Sequence, residues 1–190
     1  NNATSWAPGS NSSIVYGMSL SGTTLYVAGN FTSIGGQSRN YVAALDTTIN
    51  TNNATSMDFT FANVVQGSEI NPNPPVIKTI SASGSNVFIG AETLRAYGGT
   101  IRKRIAAFDT TQNTNNVTSW NPSANGTISA LALDGTTLYA GGRFTSIGGQ
   151  TRNCIAALST TTGNASAWNP SVTSCPSNYS VSALALNGTT

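Results

Sequence analysis

The chain has 190 residues, of which 8 are Lys or Arg, 6 are Asp or Glu and none is His, so charged residues make up 7% of it against about 25% in an average soluble domain. A net charge of +2, with no basic run longer than Arg102-Lys103-Arg104, excludes the phosphate-neutralising surface that sequence-independent nucleic-acid binding requires, and the lack of His with scattered acids removes most general-base, nucleophile-activating and metal-ligand schemes. Hydrophobic residues at 38% suffice for a core, while no apolar stretch approaches the roughly 20 residues that span a bilayer.

Self-similarity organises the rest of the reading. LYVAGNFTSIGGQSRNYVAALDTT, from Leu25, returns as LYAGGRFTSIGGQTRNCIAALSTT, from Leu138. A degenerate copy, VFIGAETLRAYGGTIRKRIAAFDTT, starts at Val87 with one extra residue before Gly98-Gly99. A second marker (ATSW at Ala3, ATSM at Ala54, VTSW at Val117, ASAW at Ala165) sets a unit of about 50 residues.

In chain order, Ala3 to Trp6 reads as the last strand of a unit. The first full unit covers about 14–57, the second 76–120 and the third 128–168. Each opens on an alternating run, with Met18 and Leu20, Ile80 and Ala82, or Leu131 and Leu133 on one face, as period-two geometry demands. A turn follows at Ser21-Gly22, Ser83-Gly84 or Asp134-Gly135, where positive φ is tolerated. The second strand runs from Leu25 to Phe31 or from Leu138 to Phe144. A Gly-Gly turn leads to the third strand (Tyr41 to Leu45, Arg104 to Phe108, Cys154 to Leu158), and a Thr/Asn-rich turn leads to a fourth that ends at the Trp. The longest insertion lies between Met57 and Ile80, with Asn71-Pro72-Asn73-Pro74-Pro75 favouring extended backbone. A further first strand is expected at Val181 to Leu186.

Four antiparallel strands repeated at about 50 residues predict an all-β fold of β-propeller blades, with kelch-type blades the nearest period. Counted this way, the single segment holds three full blades and partial blades at 1–6 and 181–190, and the expectation is an excerpt of a larger propeller.

LYAGGRFTSIGGQTRNCIAAL also resembles the blade repeat of secreted bacterial propellers of the delta-sixty type, and is similar to kelch-like repeats of fungal cell-surface polarity markers. The resemblance covers nearly the whole chain. It implies an extracellular or cell-surface protein without an assigned reaction. Kelch-like copper oxidases need His ligands that are missing here, and the Ser-x-Asp-x-Gly-x-Thr-Trp turn of sialidases does not occur. No enzyme and no cofactor are expected.

Propeller topology places the loops between strands two and three, and those between blades, on one face. Variable loops over a rigid scaffold are where binding resides, and Phe59, Phe61 and Tyr179 are the aromatic candidates there. Cys154 and Cys175 fall on the same face. A disulfide between them would close a loop of about 22 residues and contribute about 3 kcal/mol in the chain-entropy model, with two unpaired thiols as the alternative. Arg39, Arg102 and Arg152 follow each Gly-Gly turn, either as a ring of donors for carboxylates or sulfated sugars or as ties to neighbouring carbonyls. Asn2, Asn53, Asn116 and Asn164 are sequons at one place in every unit, expected at an exposed outer rim where a glycan would not disturb packing. Asn at that place is also explained by its turn conformation. Trp6, Trp120 and Trp168 read as core between blades. The function expected is that of an extracellular structural or adhesive module, with copies of itself or other domains of the same chain as partners. A carbohydrate-binding propeller with glycans as ligands is the alternative.

Overall fold

The computed structural model describes residues 5–12, 14–59, 75–94, 96–97, 100–170, 172–176 and 179–187. All regular structure among them is β. The first unit carries β1 (Val15–Ser21), β2 (Thr24–Gly29), β3 (Ser33–Ile34), β4 (Gln37–Ser38) and β5 (Val42–Asp46). The second carries β6 (Val76–Ser83), β7 (Asn86–Thr93), β8 (Ala96–Tyr97), β9 (Thr100–Ile101) and β10 (Ile105–Asp109). The third repeats them as β11 (Thr127–Asp134), β12 (Thr137–Arg143), β13 (Ser146–Ile147), β14 (Gln150–Thr151) and β15 (Ile155–Ser159). In every unit the long strands make an antiparallel sheet, in the orders β1-β2-β5, β6-β7-β10 and β11-β12-β15, and the short ones make a two-stranded ribbon.

Local chemistry accounts for the hairpins. Ser21 pairs with Thr24 and Asp134 with Thr137, so the two loop residues are Gly22-Thr23 and Gly135-Thr136. The turn therefore lies one residue later than the Ser-Gly or Asp-Gly reading. Gly22 and Gly135 take φ of 59° and 53° at the first central position, as type II′ loops require. The Gly-Gly dipeptide is likewise not a simple link from strand two to strand three. Gly35 and Gly36, at φ 63° and 78°, form the tip of the β3-β4 ribbon between Ile34 and Gln37, a type I′ geometry.

The expected fourth strand shrinks to a single bridge in each unit: Leu45 with Ala54, Phe108 with Val117, Leu158 with Ala165. The residues flanking the bridge make the ladder bonds, Asp46 N to Asn53 O and Thr55 N to Ala44 O in the first unit. The outward-facing Ala54 amide donates to Gly35 O at 3.0 Å and the Ala165 amide to Gly148 O at 2.9 Å, so in the first and third units the ribbon tip ties down the outer edge of the segment. The segment is stapled to its sheet and does not lengthen it.

The core lies between sheets. Tyr26, Ala28, Val42 and Ala44 of the first unit pack with Ile77, Ile80, Ile89 and Phe108 of the second. Phe88, Ile105 and Ala107, on the other face of the second sheet, pack with Ile128, Leu138, Ala140 and Leu158 of the third. Both faces are covered, which is why β2, β5, β7 and β10 are nearly continuous apolar runs. First strands adjoin one another, β1 beside β6 and β6 beside β11. Small residues let the sheets approach, and a Cβ on Gly90 would come within 2.4 Å of Ile128 Cγ2.

Residues 181–186, expected as a strand, carry no strand pairing among the described residues. Their seat is nonetheless that of a first strand. Val181 covers Gly141 as Ile128 covers Gly90, and its amide donates to Gly142 O at 3.2 Å.

Candidate functional site, a cleft among the first strands

Each first strand contains a register break. Partners skip Tyr16 in β1, Lys78 in β6 and Ser129 in β11, so these three residues are bulged at one station of successive units. A bulge frees a side chain from the alternation of its strand and re-aims it. The extra residue of the degenerate copy is placed by the same logic. Val76 pairs with Thr93 while Ile77 pairs with Ala91, which leaves Glu92 as a second bulge. Its Oε2 lies 3.1 Å from Lys78 Nζ, and that ammonium sits 4.9 Å from the centroid of the Tyr16 ring, within cation–π range.

From the third unit, the loop after residue 168 folds over this station. Cys154 and Cys175 are disulfide-bonded with Cα atoms 5.5 Å apart. Cys154 is presented at φ 64°, the value its counterparts Tyr41 (65°) and Arg104 (62°) also take. Each is held there by a pair of backbone bonds, for Cys154 its amide to Phe144 O at 2.9 Å and its carbonyl from the Gly142 amide at 2.8 Å. Asn153 Nδ2 donates to Val172 O at 2.9 Å, and the Ser129 and Ser180 hydroxyls meet at 3.1 Å. Tyr179 is thereby held at the rim with 69% of its surface exposed. Lys78, Glu92, Thr127, Ser129, Arg143, Tyr179 and Ser180 line an open depression of about 220 Å³.

Of the residues singled out from sequence, the two cysteines and Tyr179 belong to this site. The three arginines do not form a donor ring. Arg39 donates from Nε to Met57 O at 3.1 Å and from Nη2 to Thr55 O at 2.7 Å, Arg152 donates from Nη2 to Ser166 O at 2.7 Å, and Arg102 donates from Nη2 to Thr118 O. All three tie the ribbon to the bridge segment, and the buried Arg102 has its pKa lowered by desolvation. Phe59 is not a loop aromatic but core. Where Met57 replaces the marker Trp, the Phe59 ring meets Tyr26 at 6.4 Å and 83°, the site that Trp120 fills against Phe88 at 5.1 Å and 71°. Phe61 and Asn2 lie outside the described residues.

The outer-rim expectation fails at two of the sequons. Asn53 and Asn116 are buried, because their side chains turn inward to cap the preceding turn, Asn53 Nδ2 to Ile49 O at 3.3 Å and Asn116 Nδ2 to Gln112 O at 3.4 Å. Asn164 is exposed. Sequence reasoning missed Tyr16, Lys78, Ser129 and Arg143. For Arg143 the signal was a place where near-identical copies disagree, since Asn30 in the first unit is Arg143 in the third.

Successive antiparallel sheets packed face to face, first strand beside first strand, with a repeat of about 50 residues, define the β-propeller class. Residues 24–53 match the model of a family described as "Domain of unknown function (DUF5122) beta-propeller", a stretch that runs from β2 to the bridge segment of the first unit. A search of curated proteins found no match to the chain. Among the described residues no group of His, Cys, Asp or Glu is arranged to hold a metal, and no helix is long and apolar enough to cross a membrane.

Proposed function

We propose that this segment acts by protein–protein contact, as a structural or adhesive module of an extracellular surface or filament-forming protein, and not by turnover. One observation carries the reading. Met18 and Leu20 of β1 are 64% and 60% exposed, whereas Ile80, at the Met18 station of the next unit, is 5% exposed. In this architecture that face is where another sheet packs, so the first unit presents an apolar surface already shaped for a blade-like partner. Exposed apolar surface of this kind marks an interaction site. The disulfide is consistent with an oxidising compartment.

Sedimentation of the intact chain tests the reading. Concentration-dependent self-association that is lost in Met18→Asp/Leu20→Asp is the expected result. A strict monomer at high concentration, which also fails to capture a partner blade supplied as a separate segment, overturns it. A glycan-binding role is the second reading, favoured by the polar cleft with an exposed Tyr at its rim.

A further inference from the structure

We infer that the cleft at the first-strand bulges is a subsite for a single uncharged sugar residue, a neutral pyranose, with the Tyr179 ring against the sugar face and the Glu92 carboxylate on adjacent sugar hydroxyls. This rests on the glycan-binding reading and names its ligand class.

The charges of the lining set the class. Arg143 is engaged within the protein, and the Lys78 ammonium is held by Glu92 at 3.1 Å and by the Tyr16 ring, so the lining offers no spare cation to an anionic ligand. Glu92 keeps acceptor capacity. A carboxylate has about four lone-pair sites, more than one ammonium uses, and hydroxyl donors on neighbouring ring carbons match its two oxygens. Thr127, Ser129, Ser180 and Tyr179 contribute hydroxyls, each able both to donate and to accept. A uronate would instead bring its own carboxylate beside that of Glu92, a like-charge contact with nothing to offset it. Tyr179 offers an exposed ring on a backbone anchored by its amide to Pro176 O at 3.0 Å. At about 220 Å³, the depression is below the roughly 300–1,000 Å³ of sites that enclose drug-sized ligands, so it takes one ring and leaves the rest of a chain outside.

Two departures from the regular repeat converge here. The extra residue of the degenerate copy bulges Glu92 out of β7, which brings the carboxylate. Tyr41 of the first unit is Cys154 in the third, which brings the sulfur that pins the loop carrying Tyr179. A disulfide-held aromatic is preorganised, which lowers the entropic cost of binding. The bulged Lys78, Ser129 and Glu92 all line the same depression, the use that bulges commonly serve beside binding sites.

Calorimetric titration of the intact, oxidised chain with methyl glucoside, methyl galactoside and methyl mannoside, against methyl glucuronide and methyl galacturonide, tests the proposal. Saturable binding of at least one neutral glycoside, tighter than that of either uronide, is expected. Tyr179→Ala should weaken it by about fivefold, and Tyr179 is exposed enough for thermal unfolding to stay as in the parent. Glu92→Gln keeps the shape but removes the charge-assisted acceptor and releases Lys78. It should weaken the neutral glycoside by about fivefold and strengthen the uronides, whereas a purely structural Glu92 would move both in one direction. Uronides bound as tightly as the neutral glycosides, or both moved together by Glu92→Gln, overturn the neutral-sugar assignment and leave glycan binding standing. Neutral-sugar binding untouched by Tyr179→Ala and Glu92→Gln overturns the placement of the subsite in this cleft. No binding by any of the five sugars overturns both readings.

Discussion

Asp46 and Asp109 each open an Asp-Thr-Thr turn in which the carboxylate accepts from the Thr hydroxyl and amide two residues on, at 2.6 and 2.8 Å for Thr48 and at 2.7 and 2.9 Å for Thr111. The hydroxyl bond first, and the amide bond second, hold both carboxyls below the ordinary Asp value of 3.8. The folded pKa is thus lower than the unfolded one. The turns contribute stability above the unfolded value and lose it as pH falls through the folded value. Carboxyl resonances of both residues should titrate below the ordinary value, and acid unfolding below about pH 4 should flatten in Asp46→Ser/Asp109→Ser. Ser159 already stands at the matching place in the third unit, its Oγ accepting from Thr161 and Thr162. Burial also divides the repeated sequons. Expression in a glycosylating host followed by peptide mass spectrometry should find Asn164 occupied and Asn53 and Asn116 unmodified, because the last two face inward. Occupancy at Asn53 in folded protein would contradict the inward-facing geometry.

At the scale of the strand and sheet, Gly90 of β7 lies directly under Ile128 of β11, and a Cβ there would also stand 2.7 Å from Thr79 Cγ2. Overpacking of this kind costs typically about 1–3 kcal/mol. Gly90→Ala should lower stability by that amount in chemical unfolding, and Ile128→Ala in the same chain should recover part of it, since the two changes share one space and their effects are not additive. Trp120 fixes the same junction through its indole N–H to Ser159 O at 2.8 Å and its edge contact with Phe88. The strands themselves were legible because period two and turn glycines are local signals. The short ribbon was not, since the pattern reads its Gly-Gly tip as a mere turn, although the Gly35 and Gly148 carbonyls there tie down the segment expected as a fourth strand.

Across the whole molecule, the disulfide joins the third sheet to the loop that completes the cleft. Reduction, or Cys154→Ser/Cys175→Ser, should lower stability by about 3 kcal/mol in the chain-entropy model and free the loop that carries Tyr179. Accelerated amide exchange at 172–175 and 179–181 with the three sheets still protected is the expected pattern, whereas uniform loss of protection would mean that the bond holds the sheets as well. Sequence alone leaves the bonding of the two cysteines open against two free thiols, but it carried the repeat length, the all-β class, the hairpins to within a residue and the placement of those cysteines on one face. These follow from alternation, from turn residues and from copies that can be aligned within one chain. What only the tertiary structure decided is which repeated residues face a neighbour. Phe59 is core because a second sheet lies over it, Asn53 and Asn116 cap turns from inside, and the arginines spend their donors on carbonyls of their own unit. The cleft belongs wholly to this second kind of information. Tyr16, Lys78, Ser129, Glu92 and Arg143 are far apart or unremarked in sequence, and they meet because bulges re-aim single side chains and because first strands of successive units stand side by side.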